Sequence, residues 1–164
     1  MAGMAAEKAG GMAARWGRRL LAFAAAVLVT LAAMSLAHSL MVQAALADLD
    51  VALPLPVRLS GIARDLLGLA PTLAPVIAGA LLVAFAVAAV LRRRVGKLLS
   101  ALAYPLAGWA ATTAFLLGLR LAFGFSALAG ARTVPGFLLM SLGGFVGGFV
   151  FAWLVGRRLP PSVA

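Results

Sequence analysis

Between Arg19 and Asp48 the chain reads LLAFAAAVLVTLAAMSLAHSLMVQAALA, Leu20 to Ala47, without one formal charge. A helix rises about 1.5 Å per residue and the hydrocarbon core of a bilayer is about 30 Å thick, so about 20 such residues cross it. Backbone amides have no water to bond with in hydrocarbon, and a helix pairs them internally. The stretch therefore reads as a membrane-spanning helix with length to spare, absorbed by tilt or by last turns standing above the lipid. Three further uncharged stretches qualify, at 72–91, 98–119 and 134–155.

Composition points the same way. Of 164 residues, 65% are apolar and 11% charged, against about half and a quarter in a soluble domain. A chain this short has too little interior to hide that much apolar surface from water. A soluble enzyme and a disordered tail are excluded. The expected fold is all-α, an integral membrane four-helix bundle. One four-span domain covers 20–158, with a basic tail at 1–19 and a short tail at 159–164.

Charge sets the direction. Lys8, Arg15, Arg18, Arg19, Arg92, Arg93, Arg94, Lys97, Arg157 and Arg158 fall on one side of the four spans, opposed only by Glu7. Arg58, Arg64, Arg120 and Arg132 fall on the other, with Asp48, Asp50 and Asp65. Basic flanks stay cytoplasmic, which predicts an N-in/C-in topology. Arginine outnumbers lysine and only Ile62 and Ile77 are isoleucine, a bias of GC-rich bacterial coding; the expected location is a bacterial inner membrane. The basic residues form short clusters beside the spans, so the expected partner is the bilayer, with anionic lipid at the cytoplasmic face, and not nucleic acid. A basic start, an apolar run and Ala45-Leu46-Ala47 also resemble a secretory signal, but the run is too long for one.

Absent residue types narrow the chemistry. There is no cysteine and one histidine, His38. Thiolate catalysis, cysteine-ligated metals and paired-histidine metal sites are excluded. No cofactor and no catalytic residue is expected.

The connections are short. Residues 1–14 read as an aperiodic tail, and 120–133 as an apolar loop at the outer interface. After Pro54 and Pro56, the residues Val57, Ile62, Leu66 and Leu69 stand near helical spacing, which suggests a short amphipathic helix on the outer surface. Pro75 and Pro135 suit first turns of spans, and Pro105 lies deeper in the third.

Two constellations stand out. Gly143, Gly144, Gly147 and Gly148 set two overlapping glycine stripes on span four, a glycine-zipper pattern that lets a neighbouring backbone come close. Gly108 and Thr112 offer small surfaces on span three at the same spacing, so spans three and four should meet there; a seam between two copies of the chain is the alternative use. The other constellation is polar. Ser35, His38, Ser39 and Gln43 share one side of span one near its outer end, at the level of Arg120 and Arg132. These six are the candidate ligand-binding residues. They serve as interhelical glue, line a cavity for an amphipathic ligand such as a quinone or lipid, or form part of a transport path. The expected function is a non-catalytic accessory subunit or scaffold packing through glycine-rich faces against itself or a partner membrane protein. The alternative is a binder or small transporter of a lipophilic or anionic ligand at the outer end.

Overall fold

The computed structural model describes residues 2–48, 54–94, 97–124 and 128–156. Asp50, Gly96, Arg157, Arg158 and the expected tail at 159–164 lie outside them. Four helices account for nearly all of the described chain: α1 (Ala2–Ala47), α2 (Leu55–Leu91), α3 (Lys97–Phe123) and α4 (Val134–Gly156), with a single 3-10 turn at Ala129–Ala131 before α4. Among the described residues there is no strand. The stretches long and apolar enough to cross a membrane are Ala14–Ala47, Pro71–Leu91, Ser100–Ala122 and Val134–Gly156.

Two helices run further than the sequence suggests. α1 has 46 residues, about 69 Å of helix and more than twice the thickness of a hydrocarbon core. Residues 2–14, expected as an aperiodic tail, continue it. Alanine, the strongest helix former, fills nearly half of that stretch despite Gly3, Gly10 and Gly11, and extending a helix that already exists avoids the cost of nucleating one. The helix expected after Pro54 does form, with Pro54 as its N-cap and Pro56 in the first turn, where a missing N–H costs nothing. It does not stop, however: it merges with span two. Pro75, expected in a first turn, lies inside α2 together with Pro71. Each removes one backbone bond, a loss that membrane helices tolerate by local adjustment. Pro135 does sit in the first turn of α4.

The helices close a ring in which α1 packs on α2 and α4, and α3 packs on α2 and α4. The α1–α4 and α3–α4 contacts are the most extensive, and the glycines of α4 explain why. Gly144 and Gly148 face α3. A Cβ built at Gly144 would overlap the Gly108 carbonyl and the Thr112 hydroxyl, and one at Gly148 would reach the Tyr104 carbonyl and come within 2.8 Å of Pro105 Cα. Gly143 and Gly147 face α1. A Cβ at Gly147 would overlap the Thr30 hydroxyl and lie 2.8 Å from the Ala26 carbonyl. Both glycine stripes are therefore filled by helices of the same chain. Along α1 the buried set Ala22, Ala26, Thr30 and Met34 repeats every four residues, as Ile77, Leu81 and Phe85 do on α2; this is the spacing of one helix face.

Candidate functional site

At one end of the bundle lies the polar stripe of α1. Ser35 and Ser39 are buried, and His38 and Gln43 are half-buried. The 3-10 turn presses against this stretch, and a Cβ at Gly130 would lie 2.8 Å from His38 Cα. The Gly130 N–H donates to His38 Nδ1 at 3.2 Å. The accepting nitrogen carries no proton, so the neutral ring bears its proton on Nε2. The contact ties the α3–α4 connection to α1. Arg120, in the last turn of α3, and Arg132, just after the turn, are both exposed. The structure thus brings His38 together with a backbone amide and leaves the two arginines on the surface at the same end.

In the middle of the bundle the polar groups clasp α3 to α4. Trp109 Nε1 donates to Ser141 Oγ at 3.1 Å, and Ser141 Oγ donates to the Leu138 carbonyl at 2.9 Å. Thr112 Oγ1 lies 2.7 Å from the Ser141 carbonyl, and 3.1 and 3.0 Å from the Gly108 and Trp109 carbonyls of its own helix. Its single proton has three acceptors within reach. Thr30 is the opposite case: its hydroxyl is buried against Gly147 and has no hydrogen-bond partner.

The arginine-rich end holds a constellation that sequence reasoning missed. Each helix contributes one aromatic ring: Phe23, Phe85, Tyr104 and Phe151. Phe85 stacks on Phe151 at 4.6 Å between centroids. Tyr104 meets the edges of both, at 5.6 Å from Phe85 and 4.8 Å from Phe151, and Phe23 meets Phe85 at 6.2 Å. Such pairs add about 0.5–1.5 kcal/mol each beyond their buried area. The available signal was depth, since each ring stands one or two turns inside a basic flank, as Phe23 does after Arg19 and Phe85 before Arg92.

Arg92 closes over this cluster. It caps the C-terminus of α2, where cations suit the helix dipole. Its guanidinium carbon lies 5.0 Å from the centre of the Tyr104 ring, within cation–π range, and its Nε donates to Ser100 Oγ at 3.4 Å. Beside it opens a cleft of about 660 Å³ lined mostly by α1 and α2, with side chains of α3 and α4 as well; Arg19, Arg92 and Arg93 and the rings of Phe23, Phe85 and Tyr104 are among its lining. That is the size of a small-molecule site. It lies 19 positions before His38 along α1 at Arg19, about 28 Å away along the helix axis.

Among the described residues, no group of three or more histidine and carboxylate side chains is placed to share a metal ion. No protein-family model matches the chain, and neither a curated protein nor a solved structure matches it. The fold defines a class, an all-helical chain with four helices long and apolar enough to cross a membrane; the side chains must carry the rest of the argument.

Proposed function

We propose that the chain is a non-catalytic multi-pass component of a bacterial inner membrane, with both termini cytoplasmic, serving as an accessory subunit or scaffold. One observation carries this reading. Three polar side chains within the spans are spent on their own neighbours: Trp109 on Ser141, Thr112 on the α4 backbone, His38 on Gly130. A reaction centre presents its nucleophile or base to a substrate; here these groups fasten helices instead. Packing with a partner membrane protein or a second copy then falls to the outward side chains, because both glycine stripes of α4 are filled from within the chain.

The test is cross-linking in intact membranes, followed by extraction in mild detergent and identification of what remains attached. A stoichiometric membrane protein or a second copy supports the reading. Recovery of the uncross-linked chain alone, whatever the cross-linker, counts against it. A second reading, a binder of a lipophilic or anionic ligand, is favoured by the cleft beside Arg92. That cleft stands at the opposite end of the bundle from Ser35, His38, Ser39 and Gln43, and is a second candidate beside the site expected there.

A further inference from the structure

The cleft supports a more specific statement, independent of whether a protein partner is found. We infer that it binds the phosphate headgroup of an anionic membrane lipid. The phosphate sits on Arg19, Arg92 and Arg93, and the upper acyl carbons lie along Leu20, Leu82 and Ala86.

Three features of the cleft argue for this occupant. The first is its charge. Arg19 from within α1 and Arg92 and Arg93 at the C-terminal end of α2 all line it, and no acidic residue stands among the lining side chains. Phosphate oxygens match the fork of N–H donors that arginine presents. The second is preorganisation. Arg92 is held by Tyr104 beneath it and by Ser100 at Nε. Only one of its five N–H groups is engaged by Ser100, which leaves four for a phosphate. Part of the entropy of ordering that side chain is thereby spent before any ligand arrives.

The third feature separates a lipid from a small soluble anion. A free phosphate needs only the arginines. This cleft continues below them onto an apolar wall, and that wall is on the outside of the bundle: Leu20 is 64% exposed and Leu82 60%. Both belong to helices that cross lipid, so an acyl chain lies against them in any case. Trp16 also lines the cleft, and tryptophan favours the headgroup level of a membrane. The cationic rim, aromatic floor and apolar lower wall follow the order of a phospholipid's own parts.

The test uses the full chain in an uncharged detergent, with binding of phosphatidylglycerol, phosphatidylcholine and inorganic phosphate measured by native mass spectrometry and by tryptophan fluorescence. One phosphatidylglycerol should be retained per chain, at least about tenfold more tightly than phosphatidylcholine. Arg92→Gln and Arg93→Gln should each cost about tenfold, the scale of one charge-assisted hydrogen bond. Ala86→Trp fills the apolar wall without touching charge and should cost as much; it faces outward, so it keeps the test open if an arginine variant fails to fold. Arg64→Gln, also exposed, removes the same single charge on the far side and should change nothing. An equal loss from that far-side variant would reduce the effect to general electrostatics and overturn the site. Displacement of the lipid by millimolar inorganic phosphate would assign a soluble anion and overturn the lipid. Undiminished binding by Ala86→Trp would overturn the placement.

Discussion

The indole of Trp109 donates across the α3–α4 interface to the hydroxyl of Ser141, 3.1 Å away. Trp109 is 40% exposed on a helix long and apolar enough to cross lipid, where hydrocarbon offers its N–H no partner, and Ser141 is itself buried. Trp109→Phe and Ser141→Ala should therefore each destabilise the bundle, and the double variant should lose less than their sum. The coupling energy expected is about 0.6–1.7 kcal/mol, the range measured for hydrogen bonds between membrane helices. Reversible unfolding in mixed micelles measures it. Strict additivity would mean that the bond contributes nothing.

The two stripes of α4 predict a steep contrast among glycines. Gly144→Ala must push the Gly108 carbonyl or Thr112 aside, and Gly147→Ala must push Thr30 or the α1 backbone. Overpacking of this kind costs about 1–3 kcal/mol. Gly79→Ala meets nothing within 4 Å and removes a poor helix former, so it should stabilise by up to about 1 kcal/mol. Thermal denaturation in detergent ranks the three. If Gly144→Ala and Gly79→Ala shifted the midpoint alike, the close approach of α3 would be wrong.

Thr30 yields a prediction of opposite sign. Its hydroxyl is buried without a partner, so it bears a desolvation cost with no bond in return. Valine has the same shape and replaces the hydroxyl with a methyl group. Thr30→Val should leave stability unchanged or raise it, by up to about 1–3 kcal/mol. A clear loss in the same denaturation assay would show that the hydroxyl is bonded in solution.

These cases mark what the sequence reveals and what it hides. The spans are legible because a helix that crosses hydrocarbon must be long and nearly free of charge, and Leu20–Ala47 is longer than the secretory signal it also resembles. Which side of a span is buried is far less legible. In water, hydrophobicity separates core from surface; in lipid both sides are apolar, so Leu81 in the core and Leu82 facing outward look alike. Residue size is the surviving signal, and it speaks where Gly144 stands opposite Gly108. It is silent for Phe23, Phe85 and Phe151, because phenylalanine suits a bundle core and a lipid face equally well. The partner of His38 was hidden for another reason: it is a backbone N–H, 92 positions along the chain. Pro75 misled because proline marks helix starts in water, while α2 runs through it and through Pro71.

His38 gives a prediction that separates fastening from ligand binding. Without an acceptor, the Gly130 N–H is left unpaired in a partly buried place, at about 1–3 kcal/mol. His38→Leu should incur that cost. His38→Asn should recover most of it, because its side-chain oxygen stands near the position of Nδ1 and accepts one hydrogen bond. If stability were the same for both variants, the contact with Gly130 would not be what His38 is for.

Direction in the membrane is the last point open to a simple measurement, and the headgroup site depends on it for its leaflet. Crossing by all four helices would put Arg15, Arg18, Arg19, Arg92, Arg93 and Arg94 on one side and Arg120 and Arg132 on the other. Ten of the 14 lysines and arginines flank that side, and basic flanks are retained in the cytoplasm. The chain lacks cysteine, so single thiols report cleanly. Ser60 and Val134 are exposed at the sparsely charged side; Ser60→Cys and Val134→Cys should react with an impermeant maleimide added to intact cells. Gly96→Cys, beside the arginine turn, should react only after the membrane is opened. The reverse pattern would turn the bundle over and move the cleft of Arg19, Arg92 and Arg93 to the outer leaflet. The cleft's geometry would survive that result, but the pool of lipids it draws on would be a different one.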